Sequence, residues 1–298
     1  MFDVIDSKIV LLLLLVAIAI GYIVLWSRSL WNRRHERLIP TPYQWLVGFI
    51  TDFLDTMGVG SFATTSAFYR LGKSVDDSNL PGTLNVGHTL PTILQALIYI
   101  SVIEIDLWTL YLLIIASILG SYMGAKIVSR LPKQKVQLWM GLALLVAVTV
   151  IVCKLTGALP EQGEDLGLRG GYLILGIIGN FVFGALMTIG IGAYAPIMIM
   201  VSLLGMKADA AFPLMMGSCA FLMPVASYEF IKSNRYDPRA ALGLTLFGLP
   251  GVALAAWLVT KLSQDSKNQS VQYLSWLVVI VVIYTALTLL YSSFKKNK

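Results

Sequence analysis

Two hexapeptides, GVGSFA at residues 58–63 and GIGAYA at residues 190–195, interrupt long apolar stretches of the chain at an offset of 132 residues. Three letters are identical and the others exchange like for like, Ser61 for Ala193 among them. Glycine permits positive φ and close approach of backbone. A half-helix beginning after each break, at about Ser61 and Ala193, would turn free N–H groups and the positive end of its dipole toward the break. Each terminus is equivalent to about half a positive charge, so two facing termini supply about one. Gly58, Gly60, Ser61, Gly190, Gly192 and Ala193 are therefore the candidate binding residues for a small oxyanion, with no Lys or Arg in either tip. The competing reading is that these glycines only let helices pack closely.

The segments after the breaks add polar letters at corresponding depth: Thr83, Asn85, His88 and Thr89 in the first, Ser218 and Cys219 in the second. Asn85 and Ser218 could hydrogen-bond an oxyanion beside the tips. His88 is the one histidine inside an expected span, and an ionisable group there is a candidate for touching substrate or protons. Asp55, three residues before Gly58 and matched by Met187 in the second copy, could carry a coupling proton or cap the following half-helix. Asp52 reads equally well as solvated near the cytoplasmic side. Loop acids Asp76, Asp77 and Asp209 read as N-caps of the helices that follow.

These residues must be positioned by membrane-embedded elements. Hydrophobic residues make up 57% of the 298-residue chain and charged residues 13%, about half the share of a soluble domain. Mean hydropathy is +0.77. Uninterrupted apolar spans at 9–26, 80–103, 107–129, 136–153, 209–231, 239–261 and 271–292 are long enough to cross a bilayer core of about 30 Å. The chain is thus expected to be one all-α polytopic membrane domain, 1–298, with no soluble domain. Its net charge of +6 reads as orientation signal, and no basic, aromatic-interleaved patch suggests nucleic acid. Cys153 and Cys219 lie in apolar runs without CxxC spacing and read as free buried thiols, so no metal or cofactor is expected. The 9–26 run lacks a basic n-region and a cleavage site, and reads as a retained first helix.

The stretches 43–71 and 171–204 contain the breaks. The second would be about 51 Å long as one helix, too long for one crossing and too short for two. Each is expected to be a re-entrant hairpin of two half-helices. The Lys/Arg balance supports this: with both hairpins re-entrant, 16 basic residues fall on the cytoplasmic side and 6 outside, whereas two plain crossings give 12 and 10. The expected topology is seven spans and two hairpins, N-terminus outside and C-terminus inside.

Further matches extend the repeat. Asp77 pairs with Asp209 and Pro81 with Pro213 at 132, Pro91 with Pro224 at 133, and GSYMGAKIVSRL (120–131) with GVALAAWLVTKL (251–262) at 131. Residues 43–153 and 171–292 are read as two copies of a hairpin plus three spans, preceded by an extra helix and basic loop (1–42), joined by an extracytoplasmic linker (154–170) and followed by a C-terminal tail to residue 298. Three spans are odd in number, so the second copy enters upside down, the inverted repeat used by many secondary transporters. Helix 9–26 lies outside this repeat and could serve a homodimer interface or set orientation.

With FLDTMGVGSF and the duplication in view, the chain resembles the TauE/SafE sulfite-exporter family. Phe53, Asp55, Gly58 and Gly60 fit most of a pattern like G-F-x-D-x-x-x-G-x-G, with Leu54 and the displaced Gly48 departing from it. In the second copy Phe183, Gly190 and Gly192 fit, and Met187 stands where the Asp would be. The resemblance covers about residues 43–292. It implies a secondary transporter in the bacterial inner membrane, generally an exporter, of sulfite, sulfonates or related small anions. No Walker motif points to ATP. A channel or uptake permease is the alternative. A lipid-pyrophosphate phosphatase is disfavoured, because the tips offer one acid and no cationic clamp.

Overall fold

The computed structural model describes residues 2–57, 60–158, 163–190, 192, 194–262 and 269–294. These residues are almost wholly helical: α1 (Phe2–Asn32), α2 (Pro42–Thr56), α3 (Ser61–Leu71), α4 (Leu80–Val102), α5 (Leu107–Val128), α6 (Lys133–Leu155), α7 (Gly170–Met187), α8 (Tyr194–Leu203), α9 (Ala208–Lys232), α10 (Pro238–Leu262) and α11 (Gln269–Phe294). One isolated bridge, between Asp165 and Met206, is the only β pairing among the described residues.

Local chemistry fixes several of these boundaries. At the start of α2, Thr41 Oγ1 accepts from the Gln44 N–H at 3.2 Å, and Gln44 Oε1 accepts from the Thr41 N–H at 2.9 Å. This reciprocal capping box, with Pro42 at the first helical position, satisfies two otherwise orphaned donors. Asp106 caps α5 by accepting from the Thr109 N–H at 2.9 Å. Burial works to raise the Asp106 carboxyl, but the Thr109 donors and Arg169 outweigh it and hold it below its ordinary value.

Five described helical segments are long and apolar enough to cross a membrane: Lys8–Asn32, Leu107–Val128, Gly170–Met187, Phe212–Lys232 and Pro238–Leu258. The chain is a multi-pass membrane protein. Helix α4 is not among the five despite its 23 residues, because Thr83, Asn85, His88, Thr89, Thr92 and Gln95 dilute its hydropathy. All six side chains are buried, so α4 belongs to the protein interior rather than to lipid. Gly170–Met187 qualifies as a span by length, although its sequence reads as half of a hairpin. By contrast α2, α3 and α8 have 15, 11 and 10 residues, about 22, 16 and 15 Å, and none can cross alone.

Packing pairs helices across the two halves of the chain. α4 lies on α9 at the centre and α6 on α11, while α2 packs on α10 and α7 on α5. The last two seams repeat one another closely. A Cβ on Gly120 of α5 would overlap the Phe181 carbonyl of α7, and a Cβ on Gly251 of α10 would come within 2.5 Å of the Phe49 carbonyl of α2. Phe49 and Phe181 are 132 residues apart, Gly120 and Gly251 131. Small residues at these positions are required for backbones to approach so closely.

The loops sort into two ends. At one, Arg239 Nε donates to Ile39 O at 2.7 Å, Arg235 to Leu131 O at 2.5 Å, and Lys133 pairs with Asp76 at 2.5 Å. Arg70, at the end of α3, pairs with Asp77 and donates to Thr288 O and Ser292 Oγ of α11 at 3.0 and 2.8 Å. At the other, Lys8 donates to Ile103 O at 3.0 Å and Arg169 pairs with Asp106 at 2.9 Å. The loop acids correct one expectation. Asp77 binds Arg70 and Gln137 instead of capping α4, whose N-cap is Asn79. Asp76 accepts from Ser78 and Lys133. Burial pushes its carboxyl up, yet these donors leave it below the ordinary value. Asp209 falls inside α9, not before it.

Candidate functional site

The two breaks meet. Helix α2 starts and α3 ends at the Arg70 end of the bundle, where Tyr43 Oη donates to Phe68 O at 2.5 Å. Helices α7 and α8 have their outer ends at the Asp106 end, tied through Arg169–Asp106 and the Asp165–Met206 bridge. Between them lies a small, partly open cavity of about 20 Å³, lined by Asp55, Gly60, Ser61 and Phe62 from the first break and Met187 and Gly192 from the second. Thr92 of α4 and Met216 and Cys219 of α9 complete its wall. A volume of 10–15 Å³ suffices for one water, so this cavity has room for about one small group.

The sequence candidates divide around it. Gly60 has φ +90° and precedes the first residue of α3, a conformation that favours glycine. Ser61 N–H donates to Asp55 Oδ1 at 2.8 Å, so the Asp55 carboxylate sits on the positive end of α3. Of the two roles read for Asp55, capping is the one this contact performs. Gly192 lines the cavity, where an added Cβ would lie 3.6 Å from Phe62 Cβ. Gly190 has φ +107° but packs on Met140 and Leu84, away from the lining. Gly58 and Ala193 lie outside the described residues.

Asn85, Ser218 and His88 are buried nearby without lining the cavity. Asn85 Nδ2 donates to Pro81 O at 2.8 Å, within its own helix. Ser218 Oγ accepts from Asn180 Nδ2 at 2.9 Å, and the same amide donates to Leu113 O at 2.6 Å, joining α7, α9 and α5. His88 is bound on both ring nitrogens: Nδ1 lies 2.8 Å from Asp52 Oδ1 and Nε2 lies 2.9 Å from Thr65 Oγ1. Asp52 therefore corrects the expectation of a solvated acid, for its side chain is 0% exposed.

Sequence reading missed Asp52 and Thr65 as polar partners and Phe62, Thr92, Met187 and Met216 as lining. One signal was available. Asp52 and Asp55 are three residues apart on α2 and must share a face. A second group supports that face: Gln95 Nε2 donates to Thr56 Oγ1 at 2.9 Å and Tyr99 Oη to Thr56 O at 2.7 Å, anchoring the end of α2 on α4. Among the described residues, no group of three or more His, Cys, Asp or Glu is placed to hold a metal ion.

An all-helical, multi-pass chain with two helix breaks meeting at a buried polar centre has the architecture of a membrane transporter. The sequence matches the family described as Sulfite exporter TauE/SafE over residues 1–151, just over half of the chain. The protein belongs to the TauE/SafE family of membrane transporters. The match includes α1, which the resemblance had placed outside the family pattern, and stops before the second half. No curated protein and no solved structure matches the chain.

Proposed function

We propose that the protein is a secondary transporter exporting small sulfur-containing oxyanions, sulfite or organosulfonates, across the bacterial cytoplasmic membrane. Transport would proceed by alternating access around the two breaks. The observation that carries this reading is the convergence of Gly60, Ser61 and Gly192, from breaks whose helices come from opposite ends of the bundle, on one cavity. Backbone donors and helix N-termini are suited to an oxyanion. In this structure Asp55 holds the Ser61 N–H. An entering anion takes that donor only when the carboxylate lets it go.

The matching seams of Gly120 on Phe181 and Gly251 on Phe49 support an inverted repeat, each half a re-entrant hairpin plus three spans, with α1 in addition. The basic loops gathered at the Arg70 end support a cytoplasmic assignment for that end, with the N-terminus outside.

The test is flux in vesicles reconstituted with purified protein, using sulfite, sulfate, thiosulfate, sulfoacetate and taurine. Sulfite or a sulfonate should move with saturation. Gly192→Trp, which fills the cavity, should cut that flux by at least about tenfold, equivalent to about 1.4 kcal/mol. Undiminished flux in that variant would move the site elsewhere, and linear, non-saturating flux would favour a channel.

A further inference from the structure

Asp52 and His88 form a buried acid–base pair that the anion site does not use. Both side chains are 0% exposed. The pair joins three helices, since Asp52 is on α2, His88 on α4 and its second partner Thr65 on α3. Asp52 Oδ1 is engaged by the imidazole, but Oδ2 is buried with no hydrogen-bond partner among the described residues. Gly248 of α10 lies directly against that oxygen, and any side chain there would collide with it and with Pro91. An unpaired carboxylate oxygen sealed in protein is costly unless something neutralises it.

On the transport reading above, we infer that the Asp52–His88 pair, not Asp55, is the binding site for the coupling proton. The pair carries one exchangeable proton. Without it the pair holds a neutral imidazole and a carboxylate, net charge −1. With it the pair is neutral overall, as imidazolium and carboxylate or as imidazole and carboxylic acid. Asp55 is otherwise engaged: its Oδ1 caps α3 through Ser61. Adding the proton removes one negative charge from beside the helix breaks, so proton and anion favour each other's binding and cross together, and export is then driven by the outward anion gradient, which carries the proton out with it. The seal over Oδ2 belongs to α10, which packs on α2. Sliding of α2 along α10 during alternating access uncovers Oδ2 and lets the proton exchange. The other titratable groups acting on the pair are Asp55 of α2 and the Tyr69 phenol of α3. From α3 the Phe62 ring lies against the imidazole, and from α10 the neighbour is Gly248.

Two readouts on the full chain test this. In vesicles, sulfite accumulation driven by a pH gradient is compared with sulfite exchange at equal pH. Asp52→Asn and His88→Gln should lower the ratio of accumulation to exchange by about tenfold, within the range of typical coupling energies. Asp55→Asn should lower both rates together and leave the ratio in place. Thr65→Val, which keeps acid and base, should shift the ratio partway and guards against misfolding of the first two variants. An unchanged ratio in Asp52→Asn and His88→Gln, or its loss in Asp55→Asn alone, overturns the inference.

The second readout needs no sulfite. The chain has two histidines, so His35→Gln leaves His88 as the only ¹⁵N-imidazole signal. Protonation of the pair, on the ring or on Asp52 across their hydrogen bond, should shift both ring nitrogen signals, and Asp52→Asn should alter that response. Ring nitrogen signals that stay unchanged from about pH 5 to pH 8, the window in which histidine ordinarily changes charge, overturn the inference. If wild-type vesicles move no sulfite, the transport reading falls while this titration still decides the proton site.

Discussion

Gly251 of α10 sits so near the Phe49 carbonyl of α2 that a β-carbon there would approach the oxygen to 2.5 Å. The same relation holds between Gly120 and Phe181 in the other seam. Gly251→Leu and Gly120→Leu should therefore each destabilise the protein by about 1–3 kcal/mol or more, the usual range for overpacking. The check is the unfolding midpoint in detergent. Gly21→Ala is the control, because nothing lies within 4 Å of that position and it should leave the midpoint in place.

The glycines of the breaks should separate by mechanism. Gly60 has φ +90° with open space where its Cβ would be, so Gly60→Ala costs backbone strain alone, about 1–3 kcal/mol. Gly192 has no such φ, and its Cβ would meet Phe62 at ordinary contact distance. Gly192→Ala should therefore fold with near-native stability. Equal losses in the two variants would show that crowding, not backbone conformation, selects glycine at both.

Arg70 joins the end of α3 to Asp77 before α4 and to Thr288 and Ser292 on α11. Arg70→Gln should cost about 1–3 kcal/mol, as expected when charge-assisted hydrogen bonds are lost. Asp77→Asn should cost less, because the contacts to α11 survive. Thermal unfolding of the two variants side by side checks the order.

Asp106 gives a pH dependence with a defined sign. Its carboxyl is held below the ordinary value in the folded chain. Its contribution is therefore complete above the unfolded pKa of about 3.9 and is lost as pH falls through the lower folded value. Asp106→Ala should lower the unfolding midpoint at pH 7 by the equivalent of about 1 kcal/mol, typical of a lost cap. The gap to wild type should narrow in acid. A gap that stays constant down to about pH 2 would mean the ionised carboxylate contributes nothing beyond its shape.

The helix order was legible because its signals are local. Apolar runs with glycine, proline and charge at their ends place the long helices from α4 onward within a few residues, whereas α1 (Phe2–Asn32) extends well past the apolar run 9–26 at both ends, and the recurrence of GVGSFA as GIGAYA marks both breaks. The candidate site was legible mainly at the breaks themselves, with Asp55 and Cys219 the side chains that the sequence also singled out. Gly60, Ser61 and Gly192 line the cavity because a helix break puts them there whatever their neighbours do. The Asp52–His88 bond joins residues 36 apart and depends on how α2 and α4 are rotated, which no short-range pattern encodes. Met187 and Met216 are walls for the same reason. Asp76 and Asp77 look like caps in the chain, yet Lys133 and Arg70 reach them from other helices.

The pairing of α2 with α10 also bears on biosynthesis. Phe49 and its partner Gly251 are about 200 residues apart, so at ≈ 5–20 residues per second the ribosome needs about 10–40 s to deliver the second after the first. For that interval α2 must be held by something other than its final neighbour. Helix α4 is made far sooner and brings His88 to Asp52 and Gln95 and Tyr99 to Thr56. Those polar contacts can clamp the nascent hairpin before its apolar seam exists.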